Sequence, residues 1–87
     1  MLKRDEVLAA AAKAVSGDRQ KQYGDPGVNL GRTAALWSSA FGVEFSARDV
    51  ALAMILVKVS RACGSGDTGF DTLVDICGYA ALAAEVG

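Results

Sequence analysis

Five polar residues in the second half of the chain have the types and spacing of a working site. Lys58 and Arg61 are three apart, so they are neighbours on one helix face; Asp71, Asp75 and Tyr79 follow at successive i, i+4 steps. A short glycine-rich stretch separates the two groups, which predicts an antiparallel helix pair with the cations facing Asp71 and Asp75. Two chemistries fit such a cluster. As a structural device it is a partly buried set of ion pairs that fixes helix register. As a binding site, Lys58 and Arg61 meet anionic oxygens, while Asp71 and Asp75 orient the cations, ligate a divalent metal, or accept from a ribose or a base.

A second candidate set begins earlier, with Arg19, Lys21, Tyr23, Asp25 and Asn29, followed by Arg32 and Trp37. Guanidinium groups hold phosphate through forked hydrogen bonds and aromatic faces stack on bases, so basic side chains interleaved with Tyr23 and Trp37 suit a nucleotide. The plainer alternatives are a solvated loop and a tryptophan buried on a helix stripe. Tyr23-Gly24-Asp25-Pro26 is less generic, because Gly24 permits backbone geometry closed to other residues and Pro26 freezes the turn.

Composition excludes other chemistries. The 87 residues contain no histidine, which removes His-based triads, imidazole proton shuttling and His-ligated zinc. Cys63 and Cys77 are too few for a zinc site and too far apart for a Cys-x-x-Cys motif, and both are expected to pack as small apolar residues. A formal net charge of -1 gives no basic excess for long nucleic acid. Metal catalysis needs carboxylates converging from facing helices, yet residues 28–41 hold no acid and Asp49 lies at the far end of the third helix. No catalytic residue and no metal or cofactor is therefore expected; Mg2+ on Asp71 and Asp75 is the alternative.

Four helices must position these groups in a single domain over residues 1–87. Residues 4–15 place Val7, Leu8, Ala11, Ala12 and Val15 at helical spacing, and Ser16-Gly17 ends the run. Residues 18–27 read as a loop, since Gly24, Pro26 and Gly27 oppose a helix. Residues 28–41 carry the stripe Leu30, Ala34, Trp37 and Phe41, stopped by Gly42. Ser46-Ala47-Arg48-Asp49 reads as an N-cap with an acid in the first turn. The third helix then has no polar face through residues 50–57, and a helix apolar all round must be buried all round. Residues 63–69 read as a second loop, and a last, mostly apolar helix runs from 70 or 71 to about 86.

The apolar residues make up 52% of the chain, but 16 of its residues are alanine, so the expected core is one of small, closely packed side chains. A chain this short buries only about 60% of its unfolded surface and needs a supplement to stability. The charged opening, Met1-Leu2-Lys3-Arg4-Asp5-Glu6, predicts no secretory leader, and the eight-residue apolar run falls far below the roughly 20 residues of a membrane span. Disulfides and membrane insertion are thus unexpected. What remains is an all-α, compact four-helix module that assembles as a homo-oligomer through its third and fourth helices.

Taken in order, Arg19-Gln20-Lys21-Gln22-Tyr23-Gly24-Asp25-Pro26, Asn29, Ala35-Leu36-Trp37-Ser38, Asp49-Val50-Ala51, Met54, Lys58, Arg61 and Asp71-x-x-x-Asp75-Ile-x-Gly78-Tyr79-Ala80-Ala81 resemble a family of small phage and prophage proteins of unknown function. The resemblance implies an all-helical protein working in the cytoplasm of an infected or lysogenic bacterium. More remotely, the pattern is similar to phage domains associated with nucleotide modification and to the all-α MazG-type nucleoside triphosphate pyrophosphohydrolases. Those enzymes carry Glu-x-x-Glu on one helix, and this chain lacks it. The leading expectation is a noncatalytic phage protein that binds a small nucleotide, a sponge for a bacterial immune signal. The alternatives are a reduced Mg2+-dependent pyrophosphohydrolase and a structural interaction module.

Overall fold

A computed structural model of the chain describes residues 3–16, 24–65 and 69–87, which form four α-helices and no strand. They are α1 (Arg4–Ser16), α2 (Pro26–Phe41), α3 (Ala47–Ser65) and α4 (Phe70–Val86). The all-α, four-helix expectation holds, and local chemistry explains most of the boundaries.

In α1, Asp5 and Glu6 lie in the first turn and Lys13 in the last, each matched to the helix dipole. The start of α2 corrects the expected loop. Pro26 is already helical, because at the first position its missing N–H removes no hydrogen bond and its fixed φ suits the helix. Gly24, just before it, has φ +81°. At the other end Gly42 takes φ +68° and donates its N–H to the Ser38 carbonyl at 3.0 Å, as expected of the stop. The Ser38 hydroxyl then ties the corner together: it accepts from the Phe45 N–H at 2.9 Å and donates to the Ala34 carbonyl at 2.7 Å.

Ser46 and Asp49 form a reciprocal capping box at the start of α3. The Asp49 N–H donates to Ser46 Oγ at 3.0 Å, and the Ser46 N–H donates to Asp49 Oδ2 at 2.9 Å. Residues 63–65 continue α3 to Ser65 instead of opening the expected loop. One glycine costs a helix about 1 kcal/mol, and Gly64 alone does not end it. Gly69 opens α4 where the sequence places it, and the Gly87 N–H closes it on the Ala83 carbonyl at 3.1 Å.

The helix α4 is the hub. It packs along α3, carries α1, and meets α2 at a few points; α1 reaches no other helix among the described residues. The α3–α4 pair is antiparallel over its whole length. Lys58 pairs with Asp75 near the connecting end, and Arg48 lies against Gly87 at the opposite end, where an added methyl would come within 2.9 Å of Arg48 Cδ. On the other side of α4, Gly78 is buried and a methyl there would stand 3.2 Å from Val15 Cγ1. The missing side chain at Gly78 sets how closely α1 can approach.

The buried apolar residues are Ala11, Ala34, Val50, Ala51, Val74, Leu82 and Ala83, with Val50 the largest that is fully buried. This is the small-residue core that the composition predicts. Several expected core residues lie outside it. Leu8 is 59% and Phe41 68% exposed. Burial all round also fails for α3, which leaves Leu52, Leu56, Val57 and Val59 in solvent within a single chain. The solvent side of α4 is different in kind: Ala80, Ala81 and Ala84 occupy it, and a methyl tolerates water. Cys63, expected to pack inside, is exposed on α3.

The Asp49 carboxyl is held below its ordinary value of 3.8, chiefly by the Ser46 N–H and then by the Ser46 hydroxyl. Its contribution to stability is present above that value and disappears as the pH falls through the lowered one. Ser46→Ala should cost about 1 kcal/mol in urea unfolding at neutral pH. Asp49→Asn should remove part of the acid sensitivity below pH 3.8 that the parent chain shows.

Candidate functional site

The apolar stripe on the inner side of α3, Val50, Ala51 and Met54, leads one turn further to Lys58. That placement keeps the lysine stem covered and turns the ammonium toward α4. Lys58 Nζ meets Asp75 Oδ2 at 2.9 Å, with the two side chains 17% and 27% exposed. Partial burial at this level strengthens the attraction relative to a surface pair without isolating either charge from water.

Asp75 also lines a crevice between α1 and α4, together with Ala14, Val15, Val74, Gly78, Tyr79 and Leu82. The crevice has room for about one water molecule. Tyr79 is half-buried one turn beyond Asp75, and Asp71 is exposed one turn before it. Arg61, exposed, lies three residues beyond Lys58 on α3; Arg61 and Tyr79 each have interaction partners of their own. The fold thus gathers Lys58, Asp75 and Tyr79 at one place, with Arg61 and Asp71 at its edges. The expected cation–carboxylate juxtaposition is realised between Lys58 and Asp75.

Other candidate residues lie elsewhere. Arg19, Lys21 and Tyr23 fall outside the described residues. Asp25 caps α2 through its carbonyl, which accepts from the Val28 and Asn29 N–H groups at 3.1 and 3.0 Å; its carboxylate makes no capping bond. Asn29 is half-buried in the first turn of α2, where its carbonyl accepts from Thr33 Oγ1 at 3.2 Å. Trp37 packs edge-on against Phe45, with centroids 5.7 Å apart and planes at 85°. Phe45 precedes α3, and Lys58 is thirteen residues further on, roughly 20 Å along a helix axis. Trp37 therefore belongs to the α2–α3 corner rather than to the charged cluster.

Among the described residues no group of three or more Cys, Asp or Glu side chains is arranged to hold a metal. Asp75 is directed at Lys58, so the pair Asp71 and Asp75 does not stand ready as a chelate. The wall supplied by Ala14 and Val15 has no counterpart in the sequence reading. Its one local signal is Gly78, a glycine in the middle of an otherwise regular helix.

Residues 6–87 match a family described as a domain of unknown function, DUF6378, and the chain belongs to that family. Among its relatives, the Gene 55 protein of Mycobacterium phage L5 is 43% identical over 81 residues, covering 92% of this chain and 51% of the phage protein. The Gene 55 protein of Mycobacterium phage D29 is 35% identical over 82 residues, covering 94% and 54% respectively. The chain spans about half the length of these relatives. No solved structure matches it. Kinship with phage proteins of unknown function is thereby established, as the ordered motifs implied, and no described helix is long and apolar enough to cross a membrane.

The ion pair makes a direct prediction. Lys58→Ala and Asp75→Ala should each destabilise the chain by about 1–2 kcal/mol, between the values for exposed and buried pairs. The double variant should cost clearly less than the two losses added together, as a urea-unfolding cycle would show.

Proposed function

We propose that this chain is the ligand-binding module of a phage protein that holds a small nucleotide-type molecule without cleaving it, and sequesters a bacterial immune signalling nucleotide in the host cytoplasm. The carrying observation is the half-buried Lys58–Asp75 pair at the mouth of the α1–α4 crevice, with Tyr79 beside it. The carboxylate fixes the direction of the ammonium, Arg61 adds a second cation nearby, and Asp71 leaves an acceptor for a ribose hydroxyl or a base amine. Since the crevice admits only about a water, the ligand lies across its mouth rather than inside it. Arg19, Lys21 and Tyr23 have the side chains for further phosphate and base contacts.

Binding is favoured over hydrolysis because Asp75 is engaged. For Asp71 and Asp75 to ligate Mg2+ in a reduced pyrophosphohydrolase, the 2.9 Å contact with Lys58 has to open first. A specific observation also supports the interaction-module reading, namely the large apolar side chains left exposed on α3.

The protein incubated with nucleoside triphosphates, cyclic dinucleotides and ADP-ribose derivatives, then heat-denatured, should return one of them intact. A cleaved product would replace this reading by the enzymatic one, and no binding to any of them would leave the interaction module. Arg61→Ala should weaken retention at least tenfold while the melting temperature changes little, since the interaction of an exposed charged side chain contributes little to stability.

A further inference from the structure

The outward side of α3 carries a continuous apolar seam, Leu52, Leu56, Val59 and Cys63, all exposed. It lies directly opposite the buried side at Val50, Ala51 and Met54. The spacing, four then three then four, is that of the narrow seam along which two helices interlock. Leu56, at its middle, is 69% exposed.

We propose that this seam receives a second copy of the chain, α3 against α3, antiparallel about a two-fold axis. The spacing reads the same in both directions, which is what an isologous antiparallel contact requires. In that register Leu56 meets the partner's Val59 and Leu52 meets the partner's Cys63, so all four layers are apolar. A parallel alignment would instead bring Asp49, the next seam position toward the N-terminus, against the partner's Asp49, and like charges so placed repel. Antiparallel packing moves the two carboxylates to opposite ends and also opposes the helix dipoles.

The chain exposes 5905 Å² against roughly 4,900 Å² expected of a compact monomer of 9.0 kDa, a surplus to which the seam contributes alongside Leu8, Val28, Leu36, Phe41 and Val43. A stable pair covers about 800 Å² on each partner, so the contact takes in the flanks of the seam as well as its four side chains. The proposal does not depend on the ligand reading, because Lys58 projects from the other side of α3.

Light scattering should give twice the chain mass for the parent protein across the micromolar range, and the single-chain mass for Leu56→Glu with its helical circular dichroism unchanged. In a second variant, Leu52→Cys, mild oxidation should give a covalent dimer through the partner's Cys63, and adding Cys63→Ser should abolish it. A monomeric parent would overturn the proposal and assign the seam to additional chain such as the longer relatives carry. A dimer that survives Leu56→Glu, or a parent chain that cross-links efficiently through Cys63 alone, would overturn it as well, the latter in favour of a parallel arrangement.

Discussion

The antiparallel contact of α3 with α4 is the constraint on which the other parts depend. It fixes Lys58 opposite Asp75 near one end and Arg48 against Gly87 at the other, so the register of the pair is defined at two widely separated points. α1 joins the fold through α4 alone among the described residues, and α2 joins mainly through α3. The crevice beside Asp75 exists because Val15 rests on a glycine. Site and scaffold are therefore the same object: a shift in the hairpin moves the ammonium, the carboxylate and the crevice wall together.

The character of the core explains why so much depends on one contact. Four of the seven buried apolar residues are alanine, and a buried methylene contributes only about 0.8 kcal/mol. Small residues permit close helix approach and dense packing, but they remove little area from water. The larger side chains go elsewhere. Trp37, Phe41 and Phe45 form edge-to-face contacts at the α2–α3 corner, where Phe41 and Phe45 centroids are 6.3 Å apart. Leu52, Leu56 and Val59 face outward on α3. The hydrophobic free energy of this sequence is only partly realised within one chain, since Leu8, Val28, Leu36 and Val43 also stand exposed on or beside the other helices.

What the sequence made legible was local. The capping box at Ser46 and Asp49, the αL stop at Gly42 and the start of α4 each depend on a few consecutive residues, and each appears as expected. The Lys58–Asp75 pairing was legible for a related reason: a short connection between two helices leaves few ways to arrange them. Pro26 begins a helix where a loop is expected, because proline both breaks helices and begins them, and only position distinguishes the two. Periodicity identifies residues that share a face, as for Leu8 or Leu56, but whether another helix covers that face is decided by the fold. The meeting of Val15 with Gly78 was likewise hidden, since it joins residues 63 positions apart with no pattern linking them.

Amide hydrogen exchange, resolved along the backbone, tests most directly the claim that the α3–α4 hairpin is the stable unit and α1 a dependent one. The slowest amides should lie in residues 50–58 and 72–83, with α1 exchanging earlier through undocking from α4. Protection in α1 equal to that in α4, or rapid exchange through α3, would contradict the account.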